Sequence, residues 1–154
     1  MLEGGCLCGA VRYAAAAAPR HECFCHCESC RRASGAPFVA WFCVPRAALR
    51  FVRGAPARFR SSERAERGFC AACGTTLTFE EDGSQWIDLT AASLDQPALA
   101  PPRAHLFVRS RLPWVVPGDG LPEFATWPPR QERIRKARGT LQWAGDLESM
   151  RRDR

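Results

Sequence analysis

The sequence lacks a long apolar run, and it lacks a basic leader followed by an apolar stretch. Its run of five alanines, residues 14–18, follows Arg12 and Tyr13 and stops at Pro19. A run this short cannot span a bilayer and does not form the core of a signal peptide. These absences predict a protein with no membrane partner, no export signal and a cytoplasmic location.

Lysine and a clustered basic surface are also scarce. Lys136 is the only lysine among 22 basic residues, and the abundant arginine and alanine have GC-rich codons, which predicts a bacterial source. The formal net charge of +6 comes mostly from residues 130–154, where eight basic and four acidic residues leave the rest of the chain nearly neutral. A nucleic-acid site needs a clustered basic face, so nucleic acid is not the expected partner.

Cysteine, in contrast, is abundant. The chain has nine cysteines, and seven of them form three tight groups. The groups are Cys6 with Cys8, Cys25 with Cys27 and Cys30, and Cys70 with Cys73. Cysteines one or two residues apart can bind one ion without strain, as in tetrahedral zinc sites. The odd total and the missing export signal argue against a disulfide framework, so the seven thiolates predict two zinc ions per chain.

The first and third groups are each followed by a glycine, Gly9 and Gly74. Glycine after a ligand lets the backbone turn sharply and direct N–H groups at sulfur. The two groups lie 62 residues apart, so an ion that joins them would close a long loop, which is where a metal should stabilise a fold most. We therefore predict a structural four-sulfur zinc site formed by Cys6, Cys8, Cys70 and Cys73.

The middle group predicts a different kind of site. Cys25 and Cys27 point the same way on an extended segment, and a turn or helix start at Glu28 would return Cys30 to the same ion. Three thiolates leave one tetrahedral position for an exogenous ligand, and coordination to zinc deprotonates a thiol. The three cysteines are therefore the candidate catalytic residues, as ligands of an open zinc site.

Three nearby side chains leave alternatives. His26 alternates to the opposite face of the segment and is expected beside the ligands or in the core rather than on the metal. Cys23 lies two residues before Cys25, so on an extended segment its side chain points the same way as those of Cys25 and Cys27. It is either a buried free thiol or a fourth ligand that closes the site. Cys43 lies in the apolar run 38–44 and is expected to be a small buried hydrophobe.

The body of the chain is predicted to be an antiparallel, mostly β domain. Short apolar or alternating segments are separated by glycine and proline, and no long helical pattern alternates with them. Short helical turns are expected at 28–33 and 94–99. Strands are expected at 11–13, 38–44, 49–52, 57–60, 77–79, 85–90 and 105–109.

The last stretch has a different composition. Two prolines end the β-rich part, so we predict one domain over residues 1–127 and a basic, helical extension over 128–154. Trp143, Leu147 and Met150 are spaced to lie on one helix face. That face would dock on the domain or on a second copy of the chain, as in a homodimer. The alternative is a solvated tail.

Three motifs, in this order, resemble those of the glutathione-dependent formaldehyde-activating enzyme family, which shares its domain with a centromere protein. They are residues 5–13 (GCLCGAVRY), 25–35 (CHCESCRRASG) and 67–77 (RGFCAACGTTL). The resemblance extends over about residues 4–125. It implies a β-tent fold with a structural zinc on the first and third cysteine groups and a second zinc, associated with a thiol substrate, on the middle group.

The resemblance also implies a reaction. The family joins glutathione to formaldehyde and forms S-hydroxymethylglutathione, a carbon–sulfur lyase activity, so a small thiol and a small aldehyde are the expected partners. Arg31 and Arg32 follow the last ligand and are candidate substrate-binding residues, because guanidinium matches carboxylate geometry; the alternative is that both are solvated. The alternative to an enzyme or thiol carrier is a non-enzymatic binding module in which both zinc ions are structural.

Overall fold

The computed structural model describes residues 1–128, which are built mainly of short strands. The predicted mostly β fold is confirmed, and one α-helix lies within the described residues: α1, Glu28–Ser34, where a helical turn is predicted. The strands are β1 Leu2–Gly5, β2 Arg12–Ala15, β3 Arg20–Cys25, β4 Val39–Pro45, β5 Leu49–Arg53, β6 Ala57–Ser62, β7 Ala65–Phe69, β8 Thr76–Glu81, β9 Trp86–Thr90, β10 His105–Leu106 and β11 Glu123–Phe124.

The strands form two sheets. A three-stranded sheet has the order β1-β2-β5, and an eight-stranded sheet has the order β11-β10-β3-β4-β9-β8-β7-β6. Most neighbours are antiparallel, as predicted, but β10 pairs in parallel with both β3 and β11. Parallel pairing needs a long connection between the strands. The chain between β3 and β10, which contains six other strands, provides one.

The eight-stranded sheet has an apolar core on each face. Ile87 and Leu89 of β9 are buried in the larger core together with Tyr13 of β2, so the three-stranded sheet covers this face. Trp41 of β4 and Leu106 of β10 belong to a smaller core, which also contains cysteines of the middle group. Because successive side chains of a strand point to opposite faces, a sheet buried on both sides explains the continuous apolar sequence of β4.

Some strands have no counterpart in the sequence prediction. β1 ends in Gly4 and Gly5, while β3 and β7 carry charged residues between apolar ones. These sequences have weak strand propensity by themselves. Hydrogen bonds to the neighbouring strands therefore stabilise the extended conformation that these sequences favour only weakly.

One local prediction needs correction. The strand predicted over 105–109 ends at Leu106, because Phe107 adopts a left-handed backbone with φ of 58° and a 3₁₀ turn follows at Val108–Ser110. The short helical turn expected around 94–99 is present in 3₁₀ form, and two such turns lie in this region, Ala91–Ser93 and Pro97–Leu99. The second of these begins at a proline, whose fixed φ suits the first position of a helical turn.

The predicted helix after Pro128, including Trp143, Leu147 and Met150, lies outside the described residues. The division at residue 127 and the homodimer therefore stay predictions. Within residues 1–128, no helix is long and apolar enough to cross a membrane.

Candidate metal centres and the adjoining cavity

The first and third cysteine groups meet in space. The four sulfur atoms of this four-sulfur cluster all lie within 4.8 Å of one another, and their residues are Cys6, Cys8, Cys70 and Cys73. One pair lies in the turn between β1 and β2, and the other lies in the turn between β7 and β8. An ion held here would therefore join the two sheets.

The two turns have similar geometry. Gly9 N–H donates to the Cys6 carbonyl at 3.1 Å, and Gly74 N–H donates to the Cys70 carbonyl at 2.8 Å. Both glycines have positive φ, 75° and 74°, a conformation that other residues adopt only with strain. The Val11 N–H also donates to Cys6 Sγ at 3.2 Å, which favours a thiolate at that sulfur.

The sulfur separations fit a tetrahedral metal site and not a disulfide. Cys8 Sγ is 3.6 Å from Cys6 Sγ and 3.7 Å from Cys70 Sγ. Zn–S bonds of about 2.3 Å in tetrahedral geometry place sulfurs about 3.8 Å apart, whereas a disulfide bond is about 2.05 Å long. All nine cysteines are free thiols. A hydrogen bond with the Thr75 hydroxyl at 3.2 Å is the main reason that the pKa of Cys73 falls to about 5.

The middle group forms a second, three-sulfur cluster. The sulfur atoms of Cys25, Cys27 and Cys30 lie within 4.8 Å of one another. Cys25 is the last residue of β3, and Cys27 is the N-cap of α1, where its Sγ accepts the Cys30 N–H at 3.4 Å. The helix begins at Glu28 and so returns Cys30 to the sulfurs of the extended segment, in the way that the spacing predicts.

The three sulfurs of this cluster share negative charge unequally. Hydrogen bonds with the Cys25 and Cys30 thiols lower the pKa of Cys27 to about 2, and hydrogen bonds with the other two sulfurs raise the pKa of Cys25. Close sulfur atoms stabilise one thiolate among them by sharing the remaining protons. A cation would remove this competition, so the donor set suits a metal ion.

A buried histidine pair supports the loop that carries the three-sulfur cluster. His26 is fully buried and lies outside the cluster, with its Nε2 2.8 Å from Nδ1 of His105. His105 Nε2 in turn donates to the Asp119 carboxylate at 3.0 Å. Burial and the neighbouring His105 lower the pKa of His26 to about 4, so its ring is neutral at pH 7.

A cavity of about 270 Å³ opens beside the three-sulfur cluster. Its polar lining consists of three serines, an arginine and two carboxyl groups, and its apolar walls include Trp41, Phe79 and Leu106. The polar residues are Ser29, Ser61, Ser62, Arg67, Glu81 and Asp88. A concave site with mostly apolar walls and a few convergent polar groups is typical of small-molecule binding.

One cross-strand row of side chains lines this cavity. Asp88 of β9 lies opposite Phe79 of β8, which lies opposite Arg67 of β7. The Arg67 guanidinium lies 4.9 Å from the centre of the Phe79 ring, and its Nη2 donates to Cys30 Sγ at 3.7 Å. Arg67 is 7% exposed, and no group of residues 1–128 accepts a hydrogen bond from its Nη1. A buried donor is thus left unpaired beside the cluster.

Comparison with known proteins places this geometry in a family. The sequence model described as glutathione-dependent formaldehyde-activating enzyme matches residues 1–110, and both cysteine clusters lie within that range. The chain belongs to the glutathione-dependent formaldehyde-activating enzyme family. This confirms the family resemblance of the three motifs.

Two curated proteins and one solved structure are similar to this chain. An uncharacterized lyase of Schizosaccharomyces pombe is 41% identical over 78 residues, which are 50% of this chain and 56% of the yeast protein. A Halomonas elongata protein, named provisionally as a glutathione-dependent formaldehyde-activating enzyme, is 29% identical over 126 residues, 75% of this chain and 80% of that protein. A Rhodobacter sphaeroides crystal structure has 22% identity and a TM-score of 0.49, covering 79% of this chain and 99% of that chain.

The family signature contains two predicted substrate-binding residues that lie away from the cavity lining. Arg31 donates from Nε to the His26 carbonyl at 3.3 Å, and Arg32 forms an exposed ion pair with Glu28 at 2.9 Å. Neither is among the residues that line the cavity. Their role in substrate binding stays a prediction, and Arg67 is the arginine that the fold brings beside the three-sulfur cluster.

The two remaining cysteines lie outside both clusters. Cys23 is buried and lines the cavity, and burial raises the pKa of its thiol. Cys43 is buried in β4, and burial raises the pKa of that thiol too. A buried, protonated thiol is a weak nucleophile and a weak ligand, so both resemble small hydrophobes in this structure.

Proposed function

We propose that the protein joins a small thiol, such as glutathione, to a small aldehyde, such as formaldehyde, as a carbon–sulfur lyase-type enzyme or thiol carrier. The product would be S-hydroxymethylglutathione or a related adduct. The observation that supports the proposal best is the position of three clustered cysteine sulfurs at the wall of a cavity that also contains an unpaired, buried arginine donor.

The two clusters would have different roles. Zinc is the proposed ion in both, because the sulfur donor sets fit it. The four-sulfur cluster of Cys6, Cys8, Cys70 and Cys73 would be structural because it is complete with protein ligands. The three-sulfur cluster leaves one position for the substrate. A zinc ion held there would supply the Lewis acidity that keeps a substrate thiol deprotonated near neutral pH.

The residues of the cavity would orient the aldehyde. Arg67 is held by Phe79 and Cys30, so its unpaired Nη1 is available to donate to the carbonyl oxygen as that oxygen gains negative charge. The apolar side chains of Trp41 and Leu106 line the cavity, and the low local dielectric that they provide would strengthen this hydrogen bond. The three serines of the lining would contact the polar parts of the thiol.

The alternative is a binding module with two structural metal ions. Cys23 lines the same cavity as the three-sulfur cluster, and its recruitment as a fourth ligand would close that site. Its thiol is outside the cluster and has a raised pKa, so we favour the open site. The number of sulfur ligands on the second metal ion distinguishes the two possibilities.

Thiol binding tests the proposed function. Glutathione should bind the zinc-loaded protein through sulfur, and S-methylglutathione should bind at least about tenfold more weakly, a difference of about 1.4 kcal/mol. The two ligands share every carboxylate, amine and amide and differ only at sulfur, so isothermal titration calorimetry isolates the thiolate contribution. Exchange NMR should then show faster interconversion of glutathione and its formaldehyde adduct with protein than without it. Equal affinities would contradict the proposal.

A further inference from the structure

Asp88 is a carboxyl group that lines the cavity and makes no hydrogen bond within the described residues. It is the middle residue of β9, on the face opposite Ile87 and Leu89, and so it points to the cavity face of the sheet. Its side chain lines the cavity together with the three-sulfur cluster. Within residues 1–128, its carboxylate receives no hydrogen bond and forms no ion pair. A half-buried carboxylate without such partners is costly, which points to a ligand or a reaction.

The groups around Asp88 come from four strands. Glu81 of β8 and Arg67 of β7 are its charged neighbours, and the thiols of Cys43 in β4 and Cys23 in β3 also interact with it. Burial, followed by the negative charge of Glu81, raises the pKa of Asp88 to about 7, although Arg67 acts in the opposite direction. Asp88 can therefore accept and donate a proton near neutral pH.

The proposed reaction needs such a group. A thiol must lose a proton before its sulfur attacks the aldehyde, and the oxygen of the adduct must gain one. Arg67 can donate a hydrogen bond but cannot exchange a proton, because a guanidinium stays charged. Neither His26 nor His105 lines the cavity. Asp88 and Glu81 are the carboxyl groups that remain in its described lining.

We propose that Asp88 takes the proton of the substrate thiol when the thiol binds and returns it to the oxygen of the hydroxymethyl adduct. This inference rests on the proposed function. In the first half, the S–H bond breaks and an O–H bond forms on Asp88. In the second half, a sulfur lone pair forms the C–S bond, the C=O π pair moves onto oxygen, and that oxygen takes the proton. Thiol and aldehyde sum to the adduct, and Asp88 is again a carboxylate.

Proton release on binding tests this role without turnover. At about pH 7.5, most glutathione is a thiol and most of Asp88 is a carboxylate. The negative charge of the bound thiolate should raise the pKa of Asp88 above about 7.5. Zinc-loaded wild-type protein should then bind glutathione with almost no net proton release, because Asp88 keeps the thiol proton. Asp88→Asn should release close to one proton per thiol into the buffer. Calorimetry in two buffers of different ionisation enthalpy measures this number directly.

Two further comparisons make the test decisive. Glu81→Gln removes the other carboxyl group of the cavity and the negative charge that raises the pKa of Asp88, so it should release part of a proton, less than Asp88→Asn. If Glu81→Gln releases a full proton while Asp88→Asn releases none, the assignment to Asp88 is overturned. At about pH 5.5, where Asp88 is already protonated, wild-type protein should release about one proton as well. This comparison uses only the wild-type protein, so it remains informative even if Asp88→Asn fails to fold. Equal proton release at both pH values would overturn the role of Asp88 as the proton acceptor.

The outcomes also separate the two proposals. If wild-type protein binds glutathione but Asp88→Asn releases the same number of protons, the role of Asp88 is wrong and the proposed function stands. If the zinc-loaded wild-type protein binds no glutathione, the proposed function is wrong and the role of Asp88 falls with it.

Discussion

Cys70→Ser should remove one zinc ion per chain and unfold the protein. Cys70 is 1% exposed and belongs both to the four-sulfur cluster and to the larger core. Structural zinc sites contribute about 10–16 kcal/mol in zinc-finger peptides, whereas the net stability of a domain is about 5–15 kcal/mol. Loss of this site should therefore exceed the stability of the fold. Metal analysis and circular dichroism of the purified variant measure both effects.

Cys43→Ala is the matched control for this prediction. It removes another fully buried thiol, in β4, that lies outside both clusters. The control should keep both zinc ions and lose only about 1 kcal/mol from the small cavity it leaves. The structural role of the four-sulfur cluster would be contradicted if Cys70→Ser stayed folded with a melting temperature near that of the control.

Cys27→Ser should abolish thiol binding while the fold persists. Loss of one of three sulfurs should weaken the second zinc site by at least about 100-fold, since changes to outer-shell partners alone cost 10–100-fold. Serine is a favourable N-cap residue, so it can replace Cys27 Sγ as the acceptor of the Cys30 N–H and keep α1 in place. We expect calorimetry to detect no glutathione binding. The free energy of unfolding should fall by only about 1 kcal/mol, which lowers the melting temperature of a chain of this size by about 2–4 °C.

Cys23→Ala is the control at this site because Cys23 lines the same cavity but lies outside the three-sulfur cluster. It should keep both zinc ions and bind glutathione with wild-type affinity. A loss of the second zinc ion in this control would show that Cys23 closes the site. A melting temperature for Cys27→Ser as low as that of Cys70→Ser would show that the second site is structural.

The two cysteine clusters were predictable because their signal is local. Each group places thiols one or two residues apart, and Gly9 and Gly74 mark the two turns that bring distant groups together. The number of cysteines in each group also favours joining the first group to the third. Each of these has two cysteines, and four sulfur ligands complete a tetrahedral site. β4 was predictable for a similar reason, because its apolar run stands out between turn residues.

The residues that line the cavity were not predictable because their placement depends on strand register. Asp88 lies in an alternating segment, in which a polar residue normally points to solvent. It faces a cavity here because the three-sulfur cluster, at the end of β3 and the start of α1, lies beside that face of the sheet. Arg67 reaches Cys30 only because β7 and β8 align it with Phe79. The parallel pairing of β10 with β3 could not be predicted either, because a strand of two residues carries no sequence pattern that indicates its partner.

Zinc K-edge X-ray absorption of the protein, with and without glutathione, tests the central claim most directly. The account predicts two zinc ions per chain with an average of about 3.5 sulfur ligands, from one four-sulfur and one three-sulfur site. Glutathione should raise the average to about 4, and S-methylglutathione should leave it unchanged. An average of 4 before any thiol is added, or no change with glutathione, would contradict the account of an open, thiol-binding metal site.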